Sequence, residues 1–361
     1  MIRLVDHNMK IIIPGGSGQV GSILSRAFAA DGDEVVILSR RPDSTAVKTL
    51  RETASQSRYR SVRVVGWDGR SMGPWVDELD GADVVINLAG RSVNCRYHDA
   101  NRRAILDSRL HSTQAVGQAI SRANAPPAVW LQASTATVYA HRFDQPNDET
   151  TGVLGGAETN APANWRFSID VAKTWEAAAA SFQLPATRQV LMRSAMTMSP
   201  DRGGVFDYLL ALVRFGLGGK QGNGHQFVSW IHAQDFYRAI RWIIGHEQLS
   251  GPVNLASPCP LPNAEFMRDL RRAWGTKLGL PATRWMLEIG TFLLRSETEL
   301  ILKSRRVIPR RLVESGFEFQ FPTWREAARD LCKSWWTQAK PAGSHYTTRS
   351  GPQPRAEHVA S

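Results

Sequence analysis

A glycine-rich segment between a short apolar run and an amphipathic stretch constrains the fold of this chain most strongly. The segment reads PGGSGQVG at positions 14–21, directly after the apolar residues 11–13. Apolar residues then recur at helical spacing, as Ile23, Leu24, Ala27 and Phe28. Glycines at this spacing permit a tight turn, close approach of the backbone to a phosphate, and close packing of the helix on the strand. Because a helix N-terminus also attracts anions, the segment predicts a dinucleotide-binding turn.

Strands and helices alternate along the following part of the chain. Near-continuous runs of Val and Ile predict strands buried on both faces, at residues 34–39, 62–65, 84–88, 129–132 and 188–192. Helical patterns occupy residues 99–123 and 167–182. This alternation predicts an α/β protein with a Rossmann-type, doubly wound parallel sheet.

The pattern changes after Pro200, where helices are separated by loops rich in Gly and Pro, with one short predicted strand at 253–256. We therefore expect a smaller, mainly helical C-terminal lobe over the sheet edge. At about 150 residues per domain, a chain of 361 residues agrees with two units. The predicted division is an N-terminal extension at 1–8, a nucleotide-binding domain at 9–200, a substrate lobe at 201–336 that is interleaved with the sheet edge, and a disordered tail at 337–361.

The end of the second strand distinguishes between the two nicotinamide cofactors. An acidic residue there would bind the ribose hydroxyls of NAD, but the chain reads Ser39-Arg40-Arg41. A guanidinium can pair with a 2′-phosphate, so we predict NADP(H); the alternative is that the arginines are merely solvated. At the third strand end, Asp68 could accept a hydrogen bond from adenine or simply form a turn before Gly69. The residues assigned to the cofactor at these strand ends are Gly15, Gly16, Ser17, Gly18, Gln19, Val20, Gly21, Ser39, Arg40, Arg41, Asp68, Leu88, Ala89 and Gly90.

Composition limits the partners of the chain. The net charge of +11 is scattered, and the densest basic clusters, at 268–272 and 303–311, interrupt helical patterns; this argues against nucleic acid. The three cysteines are widely spaced and indicate neither a disulfide framework nor a metal site. No apolar run approaches the roughly 18 residues of a membrane span. We expect a soluble cytoplasmic protein, monomeric or homodimeric, that binds a small-molecule substrate but no metal, nucleic acid or membrane.

Several segments resemble the extended short-chain dehydrogenase/reductase superfamily, namely GGSGQVG at 15–21, NLAG at 87–90 and ASTATVY at 133–139. Later segments resemble the "epimerase family" group of atypical members: ILDSR at 105–109, WEAAA at 175–179, FGLGG at 215–219, GNG at 222–224, SWIH at 229–232, GPVN at 251–254 and ESGF at 314–317. The resemblance covers about residues 9–335. It implies a nucleotide-sugar-epimerase-like fold, bound NADP(H) and a small C-terminal domain of unknown function, without a settled substrate.

The resemblance also implies where catalytic groups would stand. The superfamily uses a Tyr, a Lys one helical turn later, and a Ser or Thr hydroxyl that positions the substrate oxygen. That hydroxyl falls on Thr135, whose alternative role is a local bond to the backbone. Pairing Glu176 with the superfamily's downstream Glu places Ser168 at the Tyr position and Ala172 at the Lys position. None of the six tyrosines has a Lys four residues later, so the usual pair is missing.

Further side chains are candidates for the site, each with a structural alternative. Lys173 could reach a ribose hydroxyl or be an exposed helix residue. Arg109 and Arg193 could bind the cofactor or an anionic substrate, or form structural ion pairs. His232 could act as an acid or base, although a helix-capping or core role is favoured. The loop QGNGHQ at 221–226 is expected to lie over the pocket, where its amides would contact substrate.

Two classes of function remain open on these observations. The first is an NADP-dependent oxidoreductase or epimerase that uses a nonstandard proton donor on a small polar substrate. The second is a non-catalytic NADP(H)-binding regulator or scaffold, for example in cell division, which the missing Tyr and Lys support.

Overall fold

A seven-stranded parallel sheet lies at the centre of the protein, in a computed structural model that describes residues 8–44, 62–158, 162–282 and 299–339. Its strands are β1 (Lys10–Pro14), β2 (Glu34–Ser39), β3 (Val62–Gly66), β4 (Val84–Asn87), β5 (Val129–Thr135), β6 (Arg188–Ser194) and β10 (Gly251–Leu255). The spatial order is β10-β6-β5-β4-β1-β2-β3. The winding reverses between β1 and β4, and in such sheets ligands bind outside the carboxyl ends of the strands at this point.

Three long helices cover the faces of this sheet, namely α1 (Gln19–Ala30), α2 (Asp99–Arg122) and α3 (Ala163–Ala180). Neighbouring residues of a strand point to opposite faces. Ile11 is therefore buried in one core with Phe28 of α1, whereas Ile12 is buried in a second core with Val116 of α2. The predicted strands and helices are confirmed, with shifts only at their ends, and so is the α/β fold class.

The sheet continues beyond the predicted domain boundary at residue 200. The strand predicted at 253–256 is β10, which pairs in parallel with β6 and forms the edge of the main sheet. Helix α5 (Ala233–Gly245) also packs on this sheet, because Phe236 and Ile240 are buried in the same core as Phe28. The part of the chain at 201–336, predicted as a lobe interleaved with the sheet edge, therefore adds one strand and one helix to the main sheet: the chain leaves the sheet after β6 and then returns to it.

The remaining C-terminal part is mainly helical, as predicted. It contains α4 (Val205–Arg214), α6 (Asn263–Trp274), α7 (Glu299–Leu302), α8 (Arg310–Glu314) and α9 (Trp324–Ala339). Two small sheets join it to the main body, β7 (Met196–Met198) with β9 (Trp230–His232) and β8 (Phe227–Val228) with β11 (Leu261–Pro262).

Aromatic side chains form the core of this lobe. The rings of Phe266 and Trp324 stack with centroids 4.0 Å apart, and Trp230 packs edge-on against Trp324. Helix α9 ends at Ala339, later than the predicted end near 336. Residues 1–7 and 340–361, which include most of the predicted extension and tail, lie outside the described residues.

Candidate functional site

The glycine-rich turn connects β1 to α1 and packs against the segment that follows the carboxyl end of β4. Gly15 has a φ of 79°, and a Cβ there would lie 2.8 Å from the Ala89 backbone nitrogen. Gly21 allows the first turn of α1 to pack closely against Gly16, since a Cβ at position 21 would lie 2.5 Å from the Cα of Gly16. At Gly18, by contrast, a Cβ would meet only the Gly15 carbonyl, at 3.3 Å. The turn is therefore closed towards the protein and open at the N-terminus of α1, where a phosphate would bind.

The other residues of the turn connect it to its surroundings. Val20 packs against the core of the sheet. The Gln19 amide lies so close to Gly204 that a Cβ on that glycine would overlap it. Nearby, Arg26 of α1 forms an ion pair with Asp201, with an N–O distance of 2.5 Å. The start of the C-terminal part thus lies against the helix that follows the turn.

Two serine hydroxyls link the turn to the end of β2. The Oγ atoms of Ser17 and Ser39 are 3.1 Å apart, and Ser39 is buried. Ser39 Oγ also accepts a hydrogen bond from the Arg41 backbone nitrogen at 3.2 Å. The side chains of Arg40 and Arg41 are exposed beside this point. The residues predicted to bind a 2′-phosphate therefore lie next to the turn predicted to bind the pyrophosphate.

Asp68 supports a turn after β3. Its Oδ1 accepts hydrogen bonds from the backbone nitrogens of Arg70 and Ser71, at 2.8 and 2.7 Å. These bonds lower the pKa of Asp68 to about 2. The geometry favours the turn-forming role that was the alternative to a contact with adenine.

The segment after β4 lies against the turn. The Leu88 nitrogen donates to the Pro14 carbonyl at 2.9 Å, and the Ala89 nitrogen donates to Asn87 Oδ1 at 3.1 Å. Gly90, which follows, is exposed. Leu88, Ala89 and Gly90 are therefore at the switch point of the sheet, as expected for residues beside a dinucleotide.

A cavity of about 220 Å³ lies at the carboxyl end of β5. Thr135, the last residue of β5, lines it together with Ser168 and Ala172 of α3. The two helix residues are one turn apart and face the same space, which agrees with the register inferred from Glu176. Thr135 Oγ1 accepts a hydrogen bond from the Thr137 backbone nitrogen at 3.2 Å. This local bond is the structural alternative foreseen for Thr135, and it leaves the hydroxyl hydrogen available for another acceptor.

Three charged side chains, two of them buried and one half-buried, reach this cavity region from the C-terminal part of the chain. Ser168 Oγ donates to Glu299 Oε2 at 2.6 Å, and Glu299 is 1% exposed. Arg305 lines the cavity and donates from Nε to Thr137 Oγ1 at 3.2 Å. Lys303 is 2% exposed and donates to the Thr137 carbonyl at 2.8 Å. Burial lowers the pKa of Lys303 to about 8.

Sequence reasoning missed these three residues: Lys303 and Arg305 belong to the basic cluster at 303–311, which was considered only as a candidate for binding nucleic acid, and Glu299 stands in no recognised motif. A usable signal was present. Lys303 and Arg305 stand between the apolar residues 300–302 and 307–308. Charged side chains are seldom buried without partners, so basic residues inside an apolar segment indicate partners elsewhere in the fold.

Arg109 lines the same cavity from α2. Its Nη1 donates to the carbonyls of Arg91 and Ile105, both at 3.0 Å. The guanidinium also lies over the ring of Trp175, 4.9 Å from its centroid. It contacts the switch-point segment too, because a Cβ at Gly90 would be 3.3 Å from Arg109 Cγ. Arg109 is therefore placed between the cofactor side of the sheet and the cavity.

Arg193 and Lys173 are placed differently from the prediction that they bind the cofactor. Arg193 forms a two-pronged ion pair with Glu176, at 2.8 and 2.7 Å, and donates from Nη1 to the Tyr139 hydroxyl. Lys173 is exposed and donates to the Gly155 carbonyl at 2.6 Å. The structure thus favours the structural alternatives, an ion pair for Arg193 and a solvent-exposed helix position for Lys173.

His232 and the loop at 221–226 serve the architecture of the lobe. His232 Nδ1 accepts from the Gln234 backbone nitrogen at 3.1 Å and caps α5, and burial lowers the pKa of this imidazole. In the loop, Gln226 Nε2 donates to the Gln221 carbonyl, and Gln221 Oε1 accepts from Asn263. The capping role of His232 is confirmed. Gln221 and Gln226 are buried and bonded within the lobe, Asn223 is exposed, and no residue of 221–226 lines the cavity, so the structure does not favour a contact between these amides and substrate.

The described ranges, residues 8–44, 62–158, 162–282 and 299–339, contain neither a side-chain cluster typical of a metal site nor a helix typical of a membrane span. Within them, no group of three or more His, Cys, Asp or Glu side chains is arranged to hold a metal ion. None of the helices in that part of the chain is both long enough and apolar enough to cross a bilayer.

Comparison with known proteins agrees with the geometry. The human epimerase family protein SDR39U1 is 28% identical over 328 residues, which cover 90% of this chain and 99% of the relative. An epimerase family protein of Staphylococcus epidermidis is 30% identical over 332 residues, again 90% and 99% of the two chains. The crystal structure of human SDR39U1 isoform 2 with NADPH matches with a TM-score of 0.74 at 27% identity, over 90% of this chain and 99% of that one.

Two family models match consecutive parts of the sequence. A domain of unknown function, DUF1731, matches residues 282–331, and this confirms the small C-terminal domain that the resemblance implied. The model of the NAD dependent epimerase/dehydratase family matches residues 11–256, which include the whole seven-stranded sheet apart from one end residue of β1. The chain therefore belongs to the NAD dependent epimerase/dehydratase family.

Proposed function

We propose that the protein is an NADP(H)-dependent oxidoreductase or epimerase that acts on a small polar substrate in the cavity beside Thr135. The observation that carries this proposal is the convergence of Thr135, Ser168 and Ala172 on one cavity. These residues stand where the superfamily places its hydroxyl, its Tyr and its Lys. Arg109 connects this cavity to Gly90 and hence to the dinucleotide turn. A cofactor bound at the turn could thus present its nicotinamide to a substrate held by Thr135.

The choice of NADP(H) over NAD(H) is supported by the end of β2. Ser39 is hydrogen-bonded into the turn, and the exposed Arg40 and Arg41 follow it without a neighbouring carboxylate in the sequence 39–42. The human relative was solved with NADPH. When bound, the cofactor supplies or accepts the hydride, while this chain orients it and binds the substrate.

Replacing Arg40 and Arg41 together by Ala is expected to remove the preference for NADPH. The wild-type protein should bind NADPH more tightly than NADH by about 1 to 3 kcal/mol, since charge-assisted bonds to the 2′-phosphate are absent with NADH. Fluorescence titration of both cofactors measures the difference. Arg122→Ala is the control, because Arg122 is an exposed arginine at the far end of α2. Equal affinities in the wild type, or an unchanged difference in the double variant, would contradict the assignment.

Ser168 and Glu299 are the proposed path for the proton. In the direction of oxidation, the substrate hydroxyl gives its proton to Ser168 Oγ while Ser168 passes its own proton to the Glu299 carboxylate, 2.6 Å away. The substrate carbon gives its hydride to the cofactor, so the substrate becomes a carbonyl compound. Reduction follows the same path in reverse. Thr135 holds the reacting oxygen, and neither Lys173 nor His232 lines the cavity.

Thr135→Ala and Ser168→Ala should each lower turnover on the order of 10²-fold, because each removes a hydroxyl that acts mainly in the transition state. NADPH affinity should remain close to that of the wild type. The assay follows reduced-nicotinamide fluorescence with a substrate identified by screening small carbonyl compounds. Thr174→Ala is the matched control on the exposed side of α3 and should have no effect. Wild-type turnover in either cavity variant would exclude that residue from the reaction.

A non-catalytic role as an NADP(H)-binding regulator is the second candidate. It is favoured by the side chains at the superfamily's catalytic positions, since Ser168 and Ala172 offer neither a phenol nor an amine. Two results together would support this role: NADPH raises the unfolding temperature of the protein, and no compound in the screen is turned over. Turnover that depends on Thr135 would reject it.

A further inference from the structure

The cavity beside Thr135 is lined by two guanidinium groups. Arg109 enters from α2 and Arg305 from the segment after α7. Among the described residues that line it, none is Asp or Glu. The remaining wall is partly aromatic, with Tyr97, Phe167 and Trp175. A small space with apolar walls and convergent cations is suited to an anion that carries a short carbon skeleton.

Two of the nearby cations already have acidic neighbours. Arg305 donates from Nη1 and Nη2 to the Glu299 carbonyl, at 3.5 and 3.4 Å, and the Glu299 charge also acts on it. Lys303 lies in the field of both Glu299 and Glu158. The charges of these two cations and two carboxylates balance, so they contribute little net charge to the cavity.

Arg109 is the third cation near the cavity, and its surroundings differ from those of Arg305 and Lys303. Its hydrogen bonds go to two backbone carbonyls, and no carboxylate of the described residues acts on its charge. The acidic groups that act on its charge are a phenol and a thiol, those of Tyr97 and Cys95. Burial lowers its pKa to about 10, so Arg109 stays protonated at neutral pH. Arg109 is half-buried, and a cation that is withdrawn from water without a counterion is unfavourable unless a ligand supplies the negative charge.

We infer that the cavity binds the carboxylate or phosphate group of a small organic anion, with Arg109 as its main counterion and Arg305 as a second donor. This inference rests on the proposed function, because it names the class of substrate for the same site. The volume of the cavity, about 220 Å³, is below the range of roughly 300 to 1,000 Å³ that is typical of pockets for drug-sized ligands. A compact acid fits this space, and its reacting oxygen would be held by Thr135.

Thermal unfolding of the NADPH-loaded protein with paired probes tests the inference. The pairs are pyruvate with pyruvamide and glycerol 3-phosphate with glycerol, at constant ionic strength. We expect at least one anion to raise the unfolding temperature and to bind about tenfold or more tightly than its neutral partner, as for a charge-assisted contact. The pair that responds distinguishes a carboxylate from a phosphate. If neither anion binds, or if the neutral partner binds as well, the inference is wrong.

Arg109→Met separates a ligand-binding role from a structural one. The free variant should unfold at the same temperature as the wild type or at a higher one, because a half-buried charge without a counterion has been removed. The stabilisation by the anion should be lost. Arg103→Met is the matched control, since Arg103 is exposed on the same helix. A large loss of stability in free Arg109→Met would show that Arg109 is structural and would overturn the inference.

The same variants separate this inference from the proposed function. If Arg109→Met loses NADPH affinity along with the response to anions, Arg109 serves the cofactor, and the anion site is rejected while the proposed function stands. If anions bind as expected but no anionic carbonyl compound oxidises NADPH, the anion site stands and the catalytic proposal fails.

Discussion

Gly18→Asp is expected to abolish NADPH binding without unfolding the protein. Gly18 precedes α1 with a φ of −75° and a ψ of 172°, a conformation that any residue adopts. A Cβ there meets only the Gly15 carbonyl, so the side chain has room in the free protein. The new carboxylate would occupy the place of the pyrophosphate, and juxtaposed like charges cost several kcal/mol. The loss of affinity should therefore be about a hundredfold or more.

The same substitution should leave the free protein as stable as before, or slightly more so. Gly18 provides no side-chain cap to α1, whereas Asp is a favoured capping residue and its charge complements the helix N-terminus. Calorimetric titration with NADPH and thermal unfolding of the free protein measure the two effects. Gly18→Asn is the matched control, because it adds similar volume without the charge and should lose less affinity. Undiminished binding by Gly18→Asp would place the phosphates elsewhere.

Glu176→Ala should reduce the free energy of unfolding by about 3 to 5 kcal/mol. The side chains of Glu176 and Arg193 are only 12% and 7% exposed, and their two-pronged pair joins α3 to β6. Glu176 Oε1 also accepts a hydrogen bond from Ser134 Oγ of β5 at 2.5 Å. Removing the carboxylate leaves the guanidinium buried and uncompensated, which is the main source of the loss.

A surface pair of the same geometry provides the control for this prediction. Arg142 and Asp144 also form a two-pronged pair, but the Asp144 side chain is 65% exposed. Asp144→Ala should leave the unfolding free energy close to that of the wild type, because water screens the pair. Replacing Glu176 and Arg193 together by Met should recover much of the stability lost in Glu176→Ala. Urea unfolding measures all three variants, and a Glu176→Ala loss as small as that of Asp144→Ala would contradict a structural role for the pair.

The sequence was sufficient to predict those strands, helices and turns that a local pattern of residues defines. Strand β2 has the predicted bounds, because an uninterrupted run of buried Val and Ile marks both of its ends. The turn at 14–21 was found from its glycines, whose packing distances against Ala89 and Gly16 explain why they are glycines. The register inferred for α3 from Glu176 puts Ser168 and Ala172 one helical turn apart on one face, and both residues line the cavity.

What the sequence did not reveal depends on contacts between distant segments. The strand predicted at 253–256 was placed only in a lobe interleaved with the sheet edge, because nothing in residues 251–255 shows that they pair with β6. Arg193 and Lys173 looked alike as basic residues near strand ends and helices, and only the fold shows that one is paired with Glu176. Glu299 could not be placed beside Ser168, because 131 positions separate the two residues.

That separation also sets the order in which the molecule is assembled during translation. N-terminal regions fold first as the chain leaves the ribosome, at about 5 to 20 residues per second. The 131 positions from Ser168 to Glu299 thus correspond to roughly 7 to 26 seconds of synthesis. A nascent chain presents the dinucleotide turn, Thr135 and Ser168 throughout that interval, while Glu299 and Arg305 have yet to be made. The residues of the dinucleotide turn are therefore synthesised early, and the cavity is completed only when Glu299 and Arg305 have been translated.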